Sequence, residues 1–376
     1  MTTLEFADLL FLNYETWKEN SFKDRFINHE LIKKLILKKN NFQTEVYGYS
    51  TLGREVYLLK FGTGKIKIFL WSQMHGDEPT ATMAIFDILN YLTQTSSEVK
   101  NISELVTIYF MPMVNPDGAE IFTRRNIFGI DLNRDFVNSV ATESKILKGA
   151  QEKLKPNFGF NLHDQDPRYT VGKQGEVSTI ALLAPSVDEK KSVTVGWENA
   201  KMVASKFAEV MKKFIPKNLS RYSDDFEPRA FGDNFQKSGM ATVLVESGGF
   251  PNDENKFFIR KLNFVGILST IYSIASGEYL NSNLNDYEKL PENEKYLYDF
   301  ILREIKLKFN GVEITTDIGF NFEDKFRETV RVMEIGDLKN FKAFQNINGN
   351  GKIISAEKIK WDIVLKYEEM KELVGL

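Results

Sequence analysis

The chain has 376 residues, enough for a large core and more than one domain. With 42% hydrophobic and 27% charged residues and a net charge of −3, it has no single-sign field that would point to nucleic acid. The absence of cysteine excludes a disulfide framework, a thiolate metal site and a cysteine nucleophile.

The opening residues, MTTLEFADLLFLNYETW, carry Glu5 and Asp8 and lack a basic start, an apolar stretch of signal length and a small-residue cleavage site. No apolar run reads as a membrane span. The expectation is a cytoplasmic enzyme with neither membrane nor nucleic-acid partners, its oligomeric state open. Residues 4–40 read as two amphipathic helices, with Leu9, Leu10, Phe11 and Tyr14 in the first and Ile32, Leu35 and Ile36 in the second. His29, near the start of the second, has no partner at ligand spacing and reads as a helix-end residue. Val46–Tyr49 and Val56–Phe61 alternate as strands around a hairpin at Gly53-Arg54, and the second is expected to pair beside the next strand.

That next strand is the apolar run Ile66–Trp71, of a kind buried on both faces. It leads into His75 and Glu78, and a helix follows from Pro79-Thr80 onward. A histidine and a carboxylate three apart in the turn after a strand can face one metal ion, and nitrogen with oxygen suits zinc. Taken alone, the pair equally fits a polar turn with an incidental histidine. A further buried strand, Leu105–Met111, ends in the turn Asn115-Pro116-Asp117-Gly118. The loop TRRNIFGIDLNRDF then carries Arg124, Arg125 and Arg134, a solvated surface or a device for gripping a carboxylate or polarising a carbonyl. Asn133 offers a donor to the same anion.

A helix over Thr142–Leu154 precedes the strand Phe158–Leu162, which runs into His163-Asp164 in the layout already met at His75. Ala241–Val245 runs into Glu246, a carboxylate that is paired, hydrogen-bonded at a strand end, or functional. Between them, Val195–Phe214 is a core helix, and Asp224, Asp225 and Glu227 read as a solvated acidic patch. Residues 257–275 read as a buried last helix of a first domain, 1–280. The composition then changes around Leu290-Pro291, and residues 281–376 read as a small β-rich domain, with strands at Ile305–Phe309 and Val330–Ile335 and a hairpin turn at Asn310-Gly311. Asn346 to Glu357 has the spacing of a calcium-binding loop, but Glu357 is its only carboxylate at a ligand position, so the stretch reads as an Asn-Gly turn between strands.

MHGDEPTAT, NPDG, TRRNIFGIDLNRDF, FNLHDQ and LVESGG occur here in the order seen in the zinc carboxypeptidase family, the metallocarboxypeptidases related to carboxypeptidases A and B. The chain resembles that family over roughly residues 40–275. The resemblance implies an α/β fold with a mixed twisted sheet flanked by helices, and one zinc ion held by His75, Glu78 and His163 with a fourth position for water. It implies Glu246 as general base, and Arg124 or the adjacent Arg125 as the group that polarises the scissile carbonyl. It implies Asn133 and Arg134 as the grip on the substrate's carboxylate, and Tyr222, or else Tyr169, as a substrate-side tyrosine. The stretch from Glu78 to His163 is shorter than in the digestive enzymes, which implies trimmed loops. The expected activity is removal of a carboxy-terminal residue from a peptide. The rivals are deacylation of a small acylated amino acid by the same zinc and a binding module without turnover.

Overall fold

The computed structural model describes residues 1–295, 297–324 and 326–374. The chain separates into two compact units, Met1–Pro167 with Ser178–Asn293, and Arg168–Val177 with Glu294–Leu376. The second unit therefore takes in a short segment that composition alone leaves inside the first.

The strands of the first unit are β1 (Gln43–Tyr49), β2 (Glu55–Phe61), β3 (Ile66–Ser72), β4 (Val106–Met111) and β5 (Phe158–Asp164); past β6 (Tyr169–Val171) of the second unit come β7 (Ile180–Leu183), β8 (Leu219–Arg221) and β9 (Ala241–Ser247). They form one sheet in the order β1-β2-β4-β3-β5-β9-β7-β8. The four central strands β4, β3, β5 and β9 are parallel, and the sheet turns antiparallel at β2 and again at β7. It is thus a mixed sheet, as expected. One expectation about register fails: β2 lies beside β1 and β4, and β4 separates it from β3. Hydrophobic runs fix which segments are strands, but neighbours are chosen by the crossover helices, which a local pattern does not encode.

The helices are α1 (Thr3–Leu12), α2 (His29–Leu37), α3 (Thr80–Leu92), α4 (Ser97–Leu105), α5 (Pro116–Glu120), α6 (Thr142–Leu154), α7 (Val195–Lys212), α8 (Phe231–Lys237), α9 (Phe257–Ser276) and α10 (Asn285–Glu288). Helix α1 starts in a capping box: the Thr2 hydroxyl accepts from the Glu5 amide and the Glu5 carboxylate accepts from the Thr2 amide. His29 opens α2, with Nε2 2.9 Å from the Glu55 carbonyl, so its helix-end reading holds. Helix α4 was not anticipated, because its segment is mostly polar; Ser96 caps it through the Val99 amide, and Val99 and Ile102 are its buried anchors. The Asn-Pro-Asp-Gly turn is in fact the first turn of α5, with Asn115 Oδ1 accepting from the Gly118 amide at 2.9 Å.

Alternation along β3 divides the core. Ile68 and Leu70 face the larger cluster, with Ile85, Leu89 and Phe264, while Phe69 and Trp71 face the smaller one, with Phe231 and Phe235. Helix α9 is long and apolar enough to cross a membrane, but most of it is buried in this unit, packed on α1, α3 and α7.

In the second unit β6 pairs with β10 (Asn293–Lys295). The main sheet is built from β11 (Leu297–Phe309), β12 (Val312–Phe322), β13 (Thr329–Gly336), β14 (Lys342–Asn348), β15 (Ile353–Ser355) and β16 (Val364–Lys366), followed by α11 (Tyr367–Val374). Its order is β14-β11-β12-β13-β16, with β15 also along β11. Asn310 and Gly311 both have left-handed φ, +47° and +79°, the backbone a tight two-residue hairpin demands. Phe300 stacks on Phe320 at 4.8 Å over a core with Leu302, Ile318 and Met370. The calcium-like stretch joins β14 to β15 through a turn in which Asn348 Oδ1 accepts from the Asn350 amide; strands flank it, not helices.

Candidate metal centre

The turn after β3 is held rigidly. Gln73 takes a left-handed φ of +51°, and the Ser72 and Gln73 carbonyls accept from the amides of Val114 and Asn115. Gly76 lies against α5: a Cβ there would fall 2.1 Å from the Gly118 carbonyl carbon, so no larger residue fits without moving the turn. The Glu78 amide donates back to the His75 carbonyl at 3.2 Å, and α3 starts two residues later. This closed turn points His75 and Glu78 the same way. Strand β5 brings His163 beside them, and in the β5–β9 ladder His163 pairs with Glu246. All these groups therefore lie at the carboxyl ends of adjacent parallel strands. From β3 the chain goes to β4 on one side and later to β5 on the other, so this is the crevice where open α/β sheets bind ligands.

His75 Nδ1 lies 2.8 Å from Glu78 Oε1, His163 Nδ1 lies 2.8 Å from Glu78 Oε2, and the two Nδ1 atoms are 3.2 Å apart. All three side chains are buried, and one ligand atom from each lies within 4.8 Å of the others. Asp131 Oδ1 sits 3.0 Å from His75 Nε2, which keeps that ring's proton on Nε2 and turns the Nδ1 lone pair inward. Inward-facing lone pairs beside a carboxylate call for positive charge, and Arg124 Nη1, 3.2 Å from His75 Nδ1 and 3.1 Å from Glu78 Oε1, supplies part of it from one side. The electrostatics agree. Burial opposes charge on His75, yet Glu78 and Asp131 outweigh it and lift its pKa to about 9. Burial likewise opposes charge on Glu78, but the two imidazoles hold its carboxyl far below the usual range. For His163 burial wins, and its pKa falls. Two imidazoles and one carboxylate are a donor set that fits a zinc ion.

The surroundings fix these donors. Glu78 Oε2 also accepts from the Asp164 amide at 3.1 Å. The Asp164 carboxylate in turn takes the Thr80 hydroxyl at 2.6 Å and the buried Lys256 ammonium at 3.1 Å. Glu246 is partly exposed as a residue, but its Oε2 is sealed from solvent and has no hydrogen-bond partner among the described residues. Burial first, and Glu78 second, raise its pKa to about 8.

Of the two adjacent arginines, Arg124 reaches the cluster, with Nη1 3.1 Å from Glu78 Oε1 and Nε 3.0 Å from Asp131 Oδ2. Arg125 Nη1 instead donates to the Gly129 carbonyl. Asn133 follows Asp131 in a short turn that Asp131 caps, and its Oδ1 accepts from the Phe231 amide at 3.0 Å. Arg134 donates to the Asn133 carbonyl at 2.7 Å and pairs through Nε with Glu227 at 3.3 Å. Tyr222 follows β8, half-buried, its amide donating to the Leu182 carbonyl; Tyr169 lies in the second unit.

Two acidic residues matter more than the sequence indicated. Asp131 carries no signal beyond its place in the DLNRD stretch, since its partner His75 is 56 residues away. Glu227, read with its neighbours as solvated, lies between Arg134 and Arg229, whereas Asp224 and Asp225 do pair on the surface with Lys191. The local charge pattern is alike at all three, and only the fold separates them.

Residues 29–181 match the family model described as zinc carboxypeptidase. Among curated proteins, a probable carboxypeptidase 2 of Arthroderma benhamiae is 24% identical over 113 residues, 30% of this chain and 22% of that protein. The match thus spans about a fifth of the relative's length. Among solved structures, a metallo-carboxypeptidase from Burkholderia cenocepacia superposes with a TM-score of 0.53 at 16% identity, covering 67% of this chain and 69% of that one. Bovine thrombin-activatable fibrinolysis inhibitor, solved with a tick carboxypeptidase inhibitor, gives 0.55 at 15% identity over 67% and 98%. At these identities the likeness is one of fold.

Proposed function

We propose, from the zinc carboxypeptidase model that matches residues 29–181 and from the shared fold, that the chain is a zinc metallocarboxypeptidase that hydrolyses the C-terminal peptide bond of a peptide. One observation carries the reading: two imidazole nitrogens and a carboxylate converge on one point, next to a strand whose Glu246 Oε2 has no hydrogen-bond partner among the described residues. His75, Glu78 and His163 hold one zinc ion, which when bound supplies Lewis acidity to the scissile carbonyl. Glu246 takes a proton from the attacking water and delivers it to the leaving amine. Arg124 stabilises the charge that develops on the carbonyl oxygen. Asn133 and Arg134 grip the substrate's terminal carboxylate; because Asn133 Oδ1 is already engaged by the Phe231 amide, its Nδ2 is the donor end left for an anion. Tyr222 serves on the substrate side.

The test is a pair of variants assayed for bound zinc and for hydrolysis. His163→Ala should lose the metal, while Glu246→Gln should keep one equivalent and lose cleavage. Cleavage by Glu246→Gln at the parent rate would remove the base from this scheme. Turnover of peptides but not of acylated amino acids separates the peptidase from a deacylase using the same ligands. A zinc-loaded protein inert to both would be a binding module.

A further inference from the structure

Arg134, the proposed grip on the substrate's carboxylate, already holds a carboxylate of its own chain. Glu227 Oε2 lies 3.3 Å from Arg134 Nε and 2.8 Å from Arg229 Nη2, while Glu227 Oε1 lies 2.9 Å from Arg229 Nε. Two guanidinium groups therefore meet at one acidic side chain, and one oxygen touches both. The arrangement is fixed to the metal-bearing side of the unit. Phe231 and Phe136 amides tie the 227–231 loop to the turn at Asn133, through Asn133 Oδ1 and the Arg229 carbonyl. Glu227 first, and Asp131 only weakly, raise the pKa of the Arg229 guanidinium. The buried Asp233 carboxylate accepts from the Glu227 amide at 2.9 Å and lies within the field of Glu227 and Arg134.

We propose that the site selects a terminal residue bearing a second carboxylate, glutamate or aspartate, with Glu227 as the internal stand-in that this residue displaces. The inference rests on Arg134 receiving the terminal carboxylate. A substrate carboxylate that takes Arg134 competes with the Glu227 oxygen that touches both guanidinium groups, and a second carboxylate that displaces Glu227 takes over Arg229 as well. A monoanionic end compensates one guanidinium and leaves the other facing it unpaired. A dianionic end compensates both, the α-carboxylate on Arg134 and the side-chain carboxylate on Arg229, the latter by the two-point fork that Arg229 already makes with Glu227. Glu227 is half-buried and meets Arg134 through a single, partly exposed contact, so a substrate carboxylate can compete for that guanidinium.

The experiment compares zinc-loaded protein on peptides identical except for a terminal Glu or Gln. We expect kcat/KM to favour Glu by about tenfold or more, carried by KM. Arg229→Gln should bring the ratio to about one, and Glu227→Gln should lower KM for the Gln peptide several-fold by removing the competitor. A preference for the Gln end, or a Glu preference that survives Arg229→Gln, overturns the proposal. Calorimetry of free glutamate against free glutamine on the zinc-loaded Glu246→Gln variant reads the same selection without turnover. If no peptide is cleaved but glutamate still binds better in an Arg229-dependent way, the peptidase reading fails and this one stands. Equal binding of the two amino acids sinks this one alone.

Discussion

Asp131 decides which face of His75 a metal ion meets. An ionised carboxylate can only accept, so at 3.0 Å from Nε2 it requires a proton there and leaves Nδ1 free to coordinate. Burial opposes charge on this carboxylate, but His75 first and Arg124 second hold its pKa well below the usual range. Asp131→Asn can turn its NH2 toward Nε2 and so reward the wrong tautomer. Zinc affinity should then drop by about 10–100-fold, the usual cost of losing such a partner. Competition with a chromogenic chelator measures it, and an unchanged dissociation constant would show that packing alone orients the ring. His75 and Glu78 were legible in the sequence because three residues of spacing put both in one bend. Asp131 and Glu227 were not, because an acid among arginines looks the same whether it faces water or a histidine from another part of the chain.

At the scale of elements, the centre depends on the relative position of two strand ends. His163 lies at the end of β5 and Glu246 at the end of β9, and their ladder pairing sets the gap between them. Lys256, at the head of α9 with a left-handed φ of +56°, closes that end. Its ammonium donates to the Asp164 carboxylate and to the Ser247 carbonyl at 2.9 Å, one group from each strand. Both side chains are 4% exposed, and burial pushes the Lys256 pKa down although Asp164 pushes it up. Removing one partner of such a pair typically costs about 3–5 kcal/mol, because the other charge is left buried and alone. Lys256→Met should therefore destabilise strongly, and Lys256→Met with Asp164→Asn should recover much of the loss, as urea unfolding can show. If the double variant is no more stable than the single one, the ammonium acts through the Ser247 carbonyl instead. Apolar runs made β3, β5 and β9 readable, since strands covered on both faces need them. Helix α4 escaped because Val99 and Ile102 are its only buried residues, and a nine-residue polar segment gives periodicity little to register.

At the scale of the whole molecule, the chain leaves its first unit at Arg168, returns at Ser178, and leaves again after Asn293. The boundary drawn from composition at residue 280 lies before the last of these crossings, and nothing local marks the first two. The partners of that segment lie far along the chain: the Thr170 hydroxyl donates to the Glu294 carbonyl 124 residues away, and Arg168 pairs with Asp299 at 3.5 Å. Strand β6 pairs with β10, so the excursion is structurally a piece of the β-rich unit. Truncation after Asn293 should then leave residues 168–177 without the strands and ion pairs that order them, while the eight-stranded sheet keeps all its members. Trypsin needs a locally unfolded site, so cleavage after Arg168 and Lys173 should speed up by roughly tenfold or more in the truncated protein. Far-ultraviolet circular dichroism and zinc content check that the first unit persists. Cleavage at the same rate in both proteins would mean that the segment is ordered by the first unit alone, and that the boundary drawn from composition near residue 280 is the physical one.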